Sequence, residues 1–178
     1  MNLTLATERL LLRSPLRGDA ARLAGLLNNY AVASNLAHVK LPHTTKDTEL
    51  WLPRLIASRA PEQSGFVIIM REAGVVGLVS FRRDGDATIL GYWLGEEFWG
   101  RGIMSEAVTG ALKWYFTHSK TDIVTSGVFH FNMASLAIQH KMGFVETGRS
   151  VVRCLARNAD IEHIDTELTR QAFEDATK

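Results

Sequence analysis

The chain has 178 residues, with 20 Lys plus Arg against 19 Asp plus Glu, a formal charge of +1. That balance is too even for generic attraction to nucleic acid or an anionic membrane, so any partner is found by a local site. At 46% hydrophobic and 22% charged, residues 1–178 have the composition of one globular domain, which excludes long disorder and collagen-like or coiled architectures.

Cys154 is the only cysteine. An intrachain disulfide framework or a multi-cysteine zinc site is therefore excluded, and a reducing, cytoplasmic compartment is expected. The opening Met1 to Arg9 has no basic start leading into a long apolar stretch, so neither a signal peptide nor a membrane span is expected.

In chain order, Leu10–Leu12 read as a short first strand, ended by Ser14-Pro15, with Asp19 where a helix cap would sit. Ala20, Leu23, Leu26, Leu27 and Tyr30 then recur at helical spacing. A second helical stretch follows Pro42-His43-Thr44-Thr45 and carries Leu50, Trp51, Leu55 and Ile56, with Pro53 expected to kink it. From Gly65 the period changes to that of strands. Phe66–Met70 and Val75–Phe81 form one hairpin, and a turn at Asp84-Gly85 leads into Thr88–Leu94, giving an antiparallel meander of three strands. A strong helix follows from about Ile103 to Phe116, then a strand over Ile123–Phe131. A helix over Ala134–Met142 is closed by Gly143 in a left-handed cap, and two strands finish the chain, Val145–Leu155 and Ile161–Thr169, joined at Asn158-Ala159-Asp160.

The stretch that carries chemistry is Gly91-Tyr92-Trp93-Leu94 followed by Trp99-Gly100-Arg101-Gly102-Ile103-Met104-Ser105-Glu106-Ala107. A strand feeds a short loop whose Gly-x-Gly opens directly into the long helix. The first amides of a helix lack internal partners and sit at the positive end of its dipole, so phosphate oxygens are natural ligands there. A tight strand-to-helix turn explains the same glycines. No Gly-Lys-Ser/Thr follows, so it is not a P-loop, and the third glycine of a dinucleotide fingerprint is missing.

These residues resemble the GNAT N-acetyltransferases and, within them, the RimJ/RimL branch of ribosomal-protein N-terminal acetyltransferases. Thr7-Glu8-Arg9-Leu10-Leu11-Leu12-Arg13 is similar to the branch's opening strand, Gly91–Leu94 to its fourth strand, and Trp99–Ala107 to its acetyl-CoA loop and helix. Asn132-Met133-Ala134-Ser135 with Lys141-Met142-Gly143-Phe144 resembles the second cofactor motif, and His163–Arg170 the closing strand. The resemblance spans almost the whole chain. It implies a mixed α/β GNAT fold, with a mostly antiparallel sheet of six to seven strands and about four helices. A bulge in the fourth strand would splay it from the fifth, leaving backbone groups of Tyr92, Trp93 and Leu94 to pair with the pantetheine arm of acetyl-CoA. The pyrophosphate would meet Gly100, Arg101, Gly102, Ile103, Met104 and Ser105, and Asn132 would hydrogen-bond the arm from the other side. The side chains of Tyr92 and Trp93 read as core.

Two departures stand out. Met104 is bulkier than the Gly or Ala usual in the cofactor loop, and Ile89 stands where the branch commonly places a Glu that takes the amine proton. An α-amino group titrates at ~7.7–8.0 and is already partly free base near neutrality, whereas a lysine-type amine at ~10.4 is about one part in a thousand free. The missing Glu therefore favours an α-amino acceptor, such as a protein or peptide N-terminus, over a polyamine.

For proton transfer, His130 before Asn132 is a candidate base or a surface histidine at a strand end. Glu96 and Glu97 read as a solvated loop pair, Asp84 and Asp86 as turn formers, and Arg101 either assists the phosphates or is exposed. Ser135 matches the serine proposed in this branch to protonate the departing thiolate, and Asn132-x-x-Ser135 also reads as a helix cap. The resemblance further implies direct transfer with a backbone amide near Leu94 stabilising the oxyanion. Cys154 reads as buried packing, Trp51 and Trp114 as core, and the six dispersed histidines as no metal site. The acceptor pocket is expected between the first two helices and the Tyr30–His43 segment. A small-molecule amine acetyltransferase and a non-catalytic acyl-CoA binder stay open, as does a homodimer.

Overall fold

Phe66, Val67 and Ile68 are all buried although they sit in one strand. Successive strand residues point to opposite faces. Phe66 and Ile68 join a core that includes Val108, Leu112 and Tyr115, while Val67 joins a second core with Ala20, Leu23 and Leu52. A continuous apolar run is thus what a sheet covered on both faces requires.

The computed structural model describes residues 3–58 and 60–178; Met1 and Asn2 of the opening segment lie outside the described residues. Eight strands form one sheet: β1 (Thr4–Ala6), β2 (Leu10–Arg13), β3 (Gly65–Met70), β4 (Gly74–Asp84), β5 (Ala87–Leu94), β6 (Ile123–Phe129), β7 (Val145–Cys154) and β8 (Ala159–Thr169). Their order is β1-β2-β3-β4-β5-β6-β8-β7, and only β5 and β6 run parallel. The six α-helices are α1 (Ala20–Leu27), α2 (Tyr30–Ala33), α3 (Thr45–Ala57), α4 (Ile103–His118), α5 (Met133–Met142) and α6 (Arg170–Ala176).

The mixed α/β fold with a mostly antiparallel sheet agrees with expectation, and so does the β3–β4–β5 meander. The strand count exceeds six to seven because Thr4–Ala6 pairs with β2 ahead of the expected first strand. The helix count exceeds four because one short turn at Tyr30–Ala33 and a terminal helix after Thr169 each find a cap. Asn29 Oδ1 accepts from the amides of Ala31 and Val32, and Thr169 Oγ1 accepts from Ala172 N. Asp19 does not cap α1. Its carboxylate instead binds Arg13 at 2.7 Å and accepts from Leu16 N. α3 runs unbroken through Pro53, its start fixed by reciprocal bonds between Thr44 and Asp47. Gly143 closes α5 at φ 95°, a left-handed conformation open to glycine.

No helix among the described residues is long and apolar enough to cross a membrane.

Candidate active site

The slot between β5 and β6 follows from the hydrogen-bond phase of one strand. β5 pairs with β4 from Asp84↔Ala87 to Gly77↔Leu94 without a register shift, and Gly95 N donates to Val76 O at 2.9 Å. Antiparallel pairs alternate in bonding, so Ile89, Gly91 and Trp93 exchange bonds with β4, while the backbone groups of Leu90, Tyr92 and Leu94 face β6. β6 meets β5 in register at a single position, Ile89↔Thr125. The slot therefore opens beyond that point without the bulge that the family resemblance implied, and the divergence of β6 alone exposes the edge of β5.

Side chains hold the closed end. Thr125 Oγ1 donates to Thr88 O at 3.3 Å, and Ser126 Oγ donates to Leu90 O at 2.9 Å. Gln139, buried on α5, donates to Ser126 Oγ and accepts from Thr166 Oγ1 at 2.7 Å. A satisfied polar network thus replaces the ladder where the strands part. Further out, the Trp99 indole N–H donates to Leu94 O at 2.8 Å. The Tyr92 groups and the Leu94 amide remain as the free edge.

At the far end of β5, Gly100 and Gly102 adopt φ of 70° and 72°, and Gly102 leads into α4 with no side chain capping it. The amides of the first turn therefore have no internal acceptor. This turn is tied to β2: Glu106 accepts from Thr7 Oγ1 at 2.5 Å and from Arg9 N at 2.7 Å, and Arg9 also donates to Arg101 O at 2.9 Å. The Thr7-Glu8-Arg9 motif is thus the anchor of the α4 N-terminus. Burial opposes ionisation of Glu106, but the bonds from Thr7 and Arg9 outweigh it and hold the carboxyl below its ordinary value.

These elements enclose one cavity of about 550 Å³, lined by Tyr92, Trp93, Leu94, Gly100, Arg101, Gly102, Ile103, Met104, Ser105, Asn132 and Ser135. Met104 is buried against the core, so its bulk is taken up by packing. Val32, Asn35, Leu36 and Ala37 close the cavity from the segment expected to wall the acceptor. His130 stands outside it, exposed at the end of β6 with its ring edge-on to Phe131. Glu96 and Glu97 are exposed.

Three arrangements escape one-dimensional reading. The Tyr92 ring packs on the core as expected, yet its hydroxyl lies 2.8 Å from Ser135 Oγ and donates to Ser135 O at 3.1 Å. Burial pushes the Tyr92 phenol above its ordinary value, so it stays protonated at neutral pH. Asn132 Oδ1 accepts from Ser135 N at 3.2 Å, so its carbonyl is committed to capping and only its amide N–H groups can reach a ligand. His163, which no spacing singled out, also lines the cavity. Cys154 is fully buried, its thiol donating to Ser34 O and Leu36 O. No group of three His, Cys, Asp or Glu side chains placed to hold a metal occurs among the described residues.

A family model described as an acetyltransferase (GNAT) domain matches residues 9–145. The SPbeta prophage-derived uncharacterized N-acetyltransferase YokL of Bacillus subtilis (strain 168) is 22% identical over 146 residues, 80% of this chain and 81% of that protein. RimL, the ribosomal L7/L12 α-N-protein acetyltransferase solved in complex with coenzyme A, superposes with a TM-score of 0.81 at 18% identity, covering 96% of this chain and 99% of that one. The spermidine N-acetyltransferase of Vibrio cholerae, solved with CoA and spermine, superposes with a TM-score of 0.80 at 19% identity, covering 94% and 99%.

Proposed function

Since the chain belongs to the GNAT acetyltransferase family, an acetyl-CoA-dependent enzyme, we propose that its acceptor is a primary α-amino group, as at a protein or peptide N-terminus. The observation that carries the reading is Ile89. Its side chain, at the one register pair between β5 and β6, supplies no carboxylate to the closed end of the slot. An amine that is already partly free base near neutrality depends least on such a group.

The residues fit the pantetheine and pyrophosphate of acetyl-CoA. The free edge of β5 at Tyr92 and Leu94 can pair with the amide-bearing arm as an added strand, and the uncapped amides from Gly102 to Ser105 suit phosphate oxygens. The cosubstrate supplies a thioester carbonyl. The Leu94 amide, facing the slot, donates to the developing oxyanion, a role typically worth ~10²–10³-fold in rate. Ser135 Oγ–H serves the departing thiolate, with the Tyr92 hydroxyl 2.8 Å behind it, placed to turn from Ser135 O and donate to Oγ. One sheet threads residues 4–169, which supports treating 1–178 as one catalytic domain, and the single buried thiol suits a cytoplasmic setting.

Thermal unfolding with acetyl-CoA, CoA, ATP and NAD tests the cradle. A ligand at about a hundred times its dissociation constant adds roughly 2.7 kcal/mol, which is several degrees for a domain of this size. A shift with acetyl-CoA and CoA alone is expected; none with either would overturn the cofactor assignment. Thiol release with peptides bearing free N-termini, compared with spermidine, tests the acceptor: faster turnover of spermidine at neutral pH would overturn it.

A further inference from the structure

We propose that His163, oriented by Asp165, is the base that takes the proton from the acceptor amine. The proposal rests on the acetyl-transfer reading and assigns the group that Ile89 leaves missing. His163 Nδ1 lies 2.8 Å from Asp165 Oδ1, which also accepts from Ser150 Oγ at 2.8 Å. With Nδ1 engaged as a donor to the carboxylate, Nε2 is left as the proton acceptor, and it has no partner among the described residues. The ring lines the cavity and is about one-fifth exposed.

Its position along the slot follows from register. β5 and β6 meet at Ile89↔Thr125. Four residues on, about 13 Å along each strand, Trp93 is level with Phe129, and Phe129 pairs with His163 on β8. The His163 backbone thus stands across the slot level with Trp93, and its ring leans back over Gly127 toward the level of Gly91.

Its face follows from alternation. Ser126 binds Gln139 on α5, Val128 packs against Leu136 on α5, and Thr166 binds Gln139, so these side chains share the α5 face. Phe129 and His163 lie on the other face, rings edge-on at 5.8 Å. Cys154, on that same face of β7, reaches Ser34 and Leu36 beside the cavity-lining Asn35 and Ala37. Ser135 sits on α5. The base and the thiolate-side hydroxyl therefore lie on opposite faces of the sheet at the slot, as attack from one side and departure toward the other require.

Gly127 makes room for the ring. A Cβ there would collide with His163 Cε1, so the bare backbone of β6 is what lets the imidazole lie over the strand. The titratable groups on this face are Asp165 and, two residues further along β8, Glu167. Those faces of β5 and β6 carry only Ala87, Ile89, Gly91, Trp93, Ile123, Thr125, Gly127 and Phe129, and β7 presents Ser150. Arg157 on the rim is held by Ser34 O and the Phe131 ring.

As the N–C bond forms, Nε2 takes one amine proton and the imidazolium later returns it to solvent. As the C–S bond breaks, the thiolate takes a proton from Ser135, which solvent replaces through Tyr92. The products are the amide and CoA thiol.

The test compares wild type with His163→Gln and Asp165→Asn, using peptides with N-terminal Ala or Ser as acceptors and thiol release as readout. His163→Gln is expected to lower kcat/KM at pH 7 by ~10²–10⁴-fold and to regain much of it as pH rises past the α-amino range. KM for acetyl-CoA and the CoA-induced thermal shift should stay unchanged, with a smaller loss in Asp165→Asn. Equal rates in wild type and His163→Gln would overturn the assignment and leave the acetyl-transfer reading standing. So would a loss that pH does not restore, accompanied by weaker CoA binding, since that marks a structural role. Absence of wild-type turnover with these peptides would overturn the α-amino reading and this proposal with it.

Discussion

Arg9 and Glu106, 97 residues apart, are joined by a 2.6 Å contact that binds the edge of β2 to the first turn of α4. The same arginine reaches Arg101 O, so one side chain supports both the loop and the helix start of the phosphate cradle. A carboxylate in a helix first turn also suits the dipole, and pairing it with Arg9 limits its repulsion of phosphate.

The anchor makes the fold acid-sensitive. Glu106 titrates below its ordinary value of 4.5 in the folded protein, so its contribution is present above that pH and is lost as pH falls through the folded value. Glu106→Gln is expected to cost about 1–2 kcal/mol at pH 7, a figure kept low because Arg9 is half exposed. Thermal melts from pH 7 to pH 3 check this: the gap between variant and wild type should close toward the acid end.

Tyr92 and Ser135 should act as a unit. Ser135→Ala is expected to lower kcat by ~10-fold or more with little effect on the CoA-induced thermal shift. Tyr92→Phe keeps the packed ring but removes the proton source behind the serine, so its effect should be smaller and should largely vanish in the Ser135→Ala background. A double-mutant cycle on kcat measures this coupling, and additive losses would show that the hydroxyls act independently.

Restoring a carboxylate should redirect acceptor choice. Ile89 shares its face with Thr125 at the closed end of the slot. Ile89→Glu is expected to raise kcat/KM for spermidine relative to an N-terminal peptide, by up to ~10²-fold at neutral pH, because high-pKa amines gain most from a base. The ratio of the two kcat/KM values is the measurement.

The strand expected over Ile123–Phe131, which ends at Phe129, the long helix from Ile103 and the Gly143 cap were legible in sequence because each rests on a local signal: period, glycine conformation or chain reversal. The cavity-lining positions from Tyr92 to Ser135 were legible for a different reason, since their motifs resemble a known family. What escaped depends on distant pairing. Asp19 looked like a cap because its partner Arg13 lies across a turn. The bulge was implied by resemblance, yet the splay arises from how few positions of β6 meet β5.

The sequence alone determined most of the elements and the candidate phosphate loop, because these depend on residues within one or two turns of each other. The tertiary structure alone decided which hydroxyl backs Ser135 and which histidine reaches the slot. His130 and His163 cannot be ranked by spacing. β6 and β8 run antiparallel, and that register sets the later histidine beside Phe129, over Gly127, while the earlier one falls past the end of the strand into solvent.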